Sequence, residues 1–64
     1  MDQQPGKIQV WRTADGWYVA HYGETYEEAV KNSMSRKALG RSGSRKDLLE
    51  YLTYGFKEHI VEVN

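Results

Sequence analysis

Apolar and polar residues alternate from Lys7 to Arg12, placing Ile8 and Val10 on one side of an extended chain and Gln9 and Trp11 on the other. A second β-branched and aromatic run extends from Trp17 to Tyr22. Thr13-Ala14-Asp15-Gly16 separates them, and an Asp-Gly pair between strands predicts a hairpin, because Gly16 can take positive φ without a Cβ penalty. Beyond Gly23 the period changes. Tyr26, Ala29, Val30, Ser33, Met34 and Ala38 recur at three- and four-residue spacing, the stripe of an amphipathic helix, and Thr25-Tyr26-Glu27-Glu28 matches a capping box at its start. Leu39 and Gly40 are expected to close this helix, leaving Arg41-Ser42-Gly43 as a connector. Ser44 then caps a second predicted helix, with Asp47 at the acidic position of the box and Leu48, Leu49, Leu52 and Phe56 on the buried side. Gly55 is expected to stop it in the left-handed conformation, with Phe56 folding back on Tyr51. The alternating tail His59-Ile60-Val61-Glu62-Val63 forms a third strand beside the hairpin. The expected architecture is α+β in the order ββααβ, a three-stranded antiparallel-type sheet with both helices packed on one face. Residues 1–6, which hold the only proline, read as a flexible N-terminal lead, and residues 7–64 as a single domain.

At 64 residues the chain buries only about 60% of the surface its unfolded form exposes, so a roomy enclosed active site is not expected. Cysteine is absent, which excludes disulfides, thiolate metal sites and thiol nucleophiles. A protein partner or a homodimer is the natural substitute for the missing covalent staple. No secretory apolar segment or membrane-length run is present, which points to the cytoplasm and away from membranes. Eight aromatic residues and zero net charge place the sequence on the folding side of the charge–hydrophobicity balance.

That zero conceals a division. From Ala29 to Lys46 there are six cations (Lys31, Arg36, Lys37, Arg41, Arg45, Lys46) and no carboxylate, while the rest of the chain holds three cations and all nine acids, or +6 against −6. Arg36, Lys37 and Arg41 fall where the first helix dipole favours cations, but Arg45 and Lys46 in the first turn of the second helix oppose its dipole by about 0.3–1 kcal/mol each. An acidic protein face or nucleic-acid phosphate at this turn would reverse that local penalty. A neutral isoelectric balance favours the protein, since nucleic-acid domains usually have an isoelectric point above about 9.

The hairpin is rich in rings: Trp11, Trp17, Tyr18 and Tyr22. Neighbouring residues on a strand face opposite ways, so with helices on one side only some of these rings should lie on the open face. There they would serve as anchors for a protein partner or as stacking platforms for unpaired bases. Enzymatic readings are weaker. His21 and His59 with Glu24 or Glu58 offer acid–base groups that could share one sheet face, but no serine or cysteine for them to activate, and two histidines without a third spaced ligand do not make a zinc site. Gly40-Arg41-Ser42-Gly43-Ser44-Arg45-Lys46 lacks the Gly-Lys-Ser/Thr ending of a nucleotide-hydrolysing loop. No catalytic residue, metal or cofactor is expected.

Asp15-Gly16-Trp17-Tyr18-Val19-Ala20, followed by Gly23-Glu24-Thr25-Tyr26-Glu27-Glu28-Ala29-Val30-Lys31-Asn32, resembles the N-terminal half of HicB-type antitoxins over about residues 15–32. That family has an aromatic hairpin strand and a helix opening on Gly-Asp/Glu-Thr-x-Glu-Glu-Ala; its members neutralise a small toxin ribonuclease, and many also bind operator DNA. The resemblance implies a regulator of a prokaryote or its virus and carries over no site residue. The sequence thus leads to a small non-catalytic interaction protein, inhibitor- or antitoxin-like. Trp11, Trp17, Tyr18 and Tyr22 would be its anchors, and Arg36, Lys37, Arg41, Arg45 and Lys46 would steer an acidic partner. The alternative is a nucleic-acid-binding module that sets the same cations on phosphates and the same rings on bases.

Overall fold

The computed structural model describes residues 6–64, so all but the last residue of the expected N-terminal lead lies outside the described residues. Strand β1 (Lys7–Arg12) and strand β2 (Tyr18–Tyr22) form the antiparallel hairpin, with Val10 opposite Ala20 and Trp11 opposite Val19. The turn closes through Thr13 N–H to the Trp17 carbonyl at 2.7 Å and Gly16 N–H to the Thr13 carbonyl at 3.0 Å, and Gly16 has φ of +89°.

Helix α1 (Tyr26–Ser33) begins where the capping motif predicts, the Thr25 hydroxyl accepting from Glu28 N–H at 3.2 Å. It ends well before the expected Leu39. Past Ser33 the Asn32 carbonyl accepts from both Ser35 and Arg36 N–H, which satisfies the helix end with turns, and Leu39 N–H reaches the Ala20 carbonyl at 2.8 Å. Met34, expected on the buried stripe, is therefore exposed. The expected connector is a strand, β3 (Gly40–Ser42), antiparallel to β2 with Arg41 opposite Val19. Gly40 is required here by close approach and not by a left-handed stop: a Cβ would lie 2.8 Å from Leu48 Cδ1 and 3.2 Å from the Tyr51 ring.

Helix α2 (Arg45–Gly55) is capped by Ser44, whose hydroxyl accepts from Asp47 N–H at 3.4 Å. Gly55 has no positive φ and belongs to the last turn, where Phe56 N–H bonds the Leu52 carbonyl at 2.8 Å. Phe56 does turn back on Tyr51, ring centroids 6.3 Å apart. Strand β4 (Ile60–Val63) pairs with β1, in parallel, so the sheet is mixed and four-stranded, ordered β3-β2-β1-β4.

The chain is α+β, but its helices lie on opposite faces of the sheet and not on one. Ile8, Val10 and Ala20 point to one face and form a core with Leu48 and Leu52 of α2, flanked by half-buried Tyr18, Leu39, Leu49 and Val61. Trp11 and Val19 alternate to the other face and pack with Ala29 and Val30 of α1. Because β1 and β2 are apolar on both faces, each needs a cover, and edge strand β3 is the point at which the chain passes from one face to the other. Gln9 is buried on the α1 face and fully bonded: its amide donates to the Gly23 carbonyl and to Glu62, and its oxygen accepts from Asn64 Nδ2 at 2.9 Å. This network fastens β4 to β1 across 53 positions of sequence. Among the described residues, no helix is long and apolar enough to cross a membrane.

Candidate functional site

The rings and cations singled out in the sequence divide among three places. Trp11 is 8% exposed, stacked on His21 at 5.5 Å and edge-on to Tyr26 at 5.4 Å, so it belongs to the core and presents no surface anchor. Covering the second face with α1 is what removes it from solvent. Tyr18 is half-buried against α2, and Tyr22 meets Phe56 and His59 edge-on or tilted, at 6.3 and 5.3 Å.

Trp17 is different. It is 43% exposed, and β3 brings the Arg41 guanidinium over its ring, 4.8 Å from the centroid. The same guanidinium reaches the Asp15 carboxylate at 3.2 Å. Asp15 in turn accepts from the Thr13 hydroxyl, which holds its carboxyl below the ordinary value, with amide bonds and Arg41 acting in the same direction. An exposed cation–π contact contributes about 0.5–1 kcal/mol, and an ion pair this exposed adds little. Neither makes much stability, but together they hold Arg41 in one orientation, which lowers the ordering cost of using it at an interface. A Cβ on Gly43 would lie 3.9 Å from the Trp17 ring, so the turn into α2 adjoins this tip.

Arg45 and Lys46 project from the start of α2 onto its outer face, together with Leu49, Glu50, Thr53 and Tyr54, which line one shallow depression. Tyr54 is 81% exposed and Tyr51 is exposed as well, and sequence reasoning missed both as surface rings. The signal was present: Leu48 and Leu52 define the buried side, and at 100° per residue Tyr54 falls opposite it.

Arg36 and Lys37 lie elsewhere, in the segment after α1, beside His21, Tyr22 and Asn32. The basic stretch is thus not one patch. Among the described residues the ion pairs are Arg41–Asp15 and Lys7–Glu62, so Arg36, Lys37, Arg45 and Lys46 have no carboxylate within bridging distance.

The histidines do not share a face. His21 points to the α1 side against Trp11, where burial lowers its pKa, whereas His59 packs with Tyr22 and Phe56 and donates from Nδ1 to the Gly6 carbonyl at 2.8 Å. Among the described residues no three metal-ligating side chains converge. No family model, curated protein or solved structure matches the chain.

Proposed function

We propose that this chain is a small non-catalytic interaction protein, inhibitor- or antitoxin-like, that binds an acidic protein partner through the hairpin tip and the outer face of α2. The observation that carries this reading is the exposed Trp17 ring with the Arg41 guanidinium fixed over it. Tryptophan, tyrosine and arginine are the residues that dominate binding energy at protein interfaces, and here one of each kind reaches solvent without an apolar cover. Arg45 and Lys46, free of bridging carboxylates among the described residues, supply the long-range attraction, and Leu49 and Tyr54 supply apolar area beside them. The resemblance of residues 15–32 to HicB-type antitoxins is the sequence ground for calling the proposed regulator antitoxin-like.

The test compares the wild-type chain with Trp17→Ala and with Arg41→Glu/Arg45→Glu as bait for proteins of the native host. One partner retained by the wild type and lost by both variants is the expected result. A partner held equally by all three would move the interface elsewhere. Fluorescence anisotropy with labelled single- and double-stranded oligonucleotides is run in parallel. Binding that falls steeply in a log–log plot against salt, and is lost in the double variant, would replace the protein reading with phosphate contact.

A further inference from the structure

Beside the C-terminal end of β2 the edge of the sheet is notched. β3 pairs with Tyr18 to Ala20 only, so His21 and Tyr22 run past it, and the segment after α1 folds alongside them. The result is a cleft of about 190 Å³ lined by His21, Tyr22, Asn32, Arg36, Lys37 and Leu39. The polar side chains of these residues are an imidazole, a phenol, a carboxamide, a guanidinium and an ammonium, with no carboxylate among them.

His21 makes this more than a surface dent. The residue is only 5% exposed, yet its ring nitrogens take part in no hydrogen bond among the described residues. No side-chain nitrogen of the described residues is both sealed from solvent and unpaired, so the ring keeps an edge within reach of solvent, and His21 is one of the residues that line the cleft. Two further donors have fixed directions. Asn32 Nδ2 gives one hydrogen to the Tyr22 carbonyl at 2.7 Å and retains the other. That bond also shows that the Tyr22 backbone faces away from β1, and in a strand the N–H of a residue points to the same side as its carbonyl.

We propose that this cleft binds a small dianionic oxyanion, either inorganic phosphate or the terminal phosphate of a monoester. The size fits: 190 Å³ is about six times the 30 Å³ share of a liquid water, well below the roughly 300–1,000 Å³ of sites for drug-sized ligands. The donors fit as well. An inner set of His21, Asn32 and the Tyr22 amide meets an outer, exposed pair, Arg36 and Lys37, whose charges balance a dianion. The arginine fork matches phosphate geometry. This site goes beyond the partner-binding reading, since it lies apart from Trp17 and the outer face of α2 and stands or falls separately.

The test is an NMR titration of the isotopically labelled full chain with sodium phosphate and, separately, glycerol 3-phosphate. Sodium chloride at matched ionic strength and sodium acetate are the references. Saturable shifts are expected at the His21 ring, the Asn32 side-chain amide and the Tyr22 amide. In Arg36→Ala/Lys37→Ala, affinity should fall by about tenfold or more, the loss expected for removing a charge-assisted hydrogen bond. Both replaced residues are exposed and outside the helices and strands, so the amides of Ile8 and Leu52 should stay in place. Saturation by phosphate alone assigns the free ion, and saturation by both assigns a monoester-compatible mouth. Shifts that follow chloride, shifts centred on Arg45 and Lys46, equal binding by acetate, or a double variant that binds as well as the wild type would each overturn the proposal.

Discussion

Gly55→Ala and Gly23→Ala should move stability in opposite directions, although both replace one hydrogen by a methyl group. At Gly55 an added Cβ meets nothing within 4 Å, the backbone has no positive φ, and the residue lies in the last turn of α2. Alanine there reduces the freedom of the unfolded chain and should stabilise by about 0.5–1 kcal/mol. At Gly23 the added Cβ would stand 2.5 Å from Ala29 N and 2.8 Å from Ala29 Cα and Cβ. The obstacle is the backbone of α1, which cannot rotate aside as a side chain would, so the cost should reach about 1–3 kcal/mol. Core-derived stability in so small a domain is about 3–5 kcal/mol, so Gly23→Ala removes a large part of it. With about 4–8 °C per kcal/mol at this size, the midpoint should fall by roughly 8–16 °C for a 2 kcal/mol loss, and rise by roughly 2–8 °C in Gly55→Ala. Thermal unfolding followed by tryptophan emission, with Trp11 as the buried reporter, reads the midpoints, and urea unfolding with linear extrapolation reads the free energies. A lowered midpoint for Gly55→Ala would mean that Gly55 adopts the left-handed stop read from the sequence. An unchanged midpoint for Gly23→Ala would mean that α1 does not press on the hairpin exit.

Three other outcomes follow from the packing. Leu52 is fully buried, so Leu52→Ala should cost about 2–5 kcal/mol and leave no folded baseline in a urea titration, while Tyr54→Ala on the opposite side of α2 should stay within about 0.5 kcal/mol of wild type. Gln9→Leu would leave the Gly23 carbonyl unpaired and remove the links to Glu62 and Asn64, at a cost of about 1–3 kcal/mol, read by hydrogen exchange as faster opening of β4 than of β2. Burial lowers the His21 pKa from its usual 6.5, so the unfolded chain takes up a proton at that ring before the folded chain does. Its contribution is therefore present above pH 6.5 and lost as pH falls through the lowered folded value, whereas Asp15, also lowered, acts only below its usual 3.8. Urea midpoints should drop as pH falls below 6.5 in the wild type and hold steadier in His21→Phe, and a wild-type midpoint that rises on mild acidification would contradict this.

The hairpin and both helix starts were legible because their signals are local: an Asp-Gly turn, two hydroxyl caps and the alternation of Ile8 and Val10. β3 was not. Gly40-Arg41-Ser42 has neither a β-branched residue nor an alternating pattern, and its extended state comes from pairing with β2, a tertiary effect that propensity does not contain. The placement of the helices could have been read from Trp11 and Val19, which give the hairpin a second apolar face that one layer of helices cannot cover. The site was legible only in parts. Trp17 and Arg41 were each singled out, but their contact depends on the register that sets Arg41 opposite Val19. The cleft at His21 depends on where β3 stops, which no local signal specifies.

The parallel pairing of β4 with β1 has a kinetic meaning. β1 meets β2 across a short turn, a closure of microseconds, but meets β4 only after a search across a separation of 53 positions. The hairpin is therefore the natural nucleus, and β4 is the last strand to dock and the first to leave. Substitutions at Val61 should quicken unfolding with little effect on refolding, while substitutions at Val10 or Ala20 should slow refolding itself. Such late docking exposes one side of β1 for part of every opening event, so the rate at which this domain is lost to proteolysis or strand exchange is governed at its far edge, not in its core.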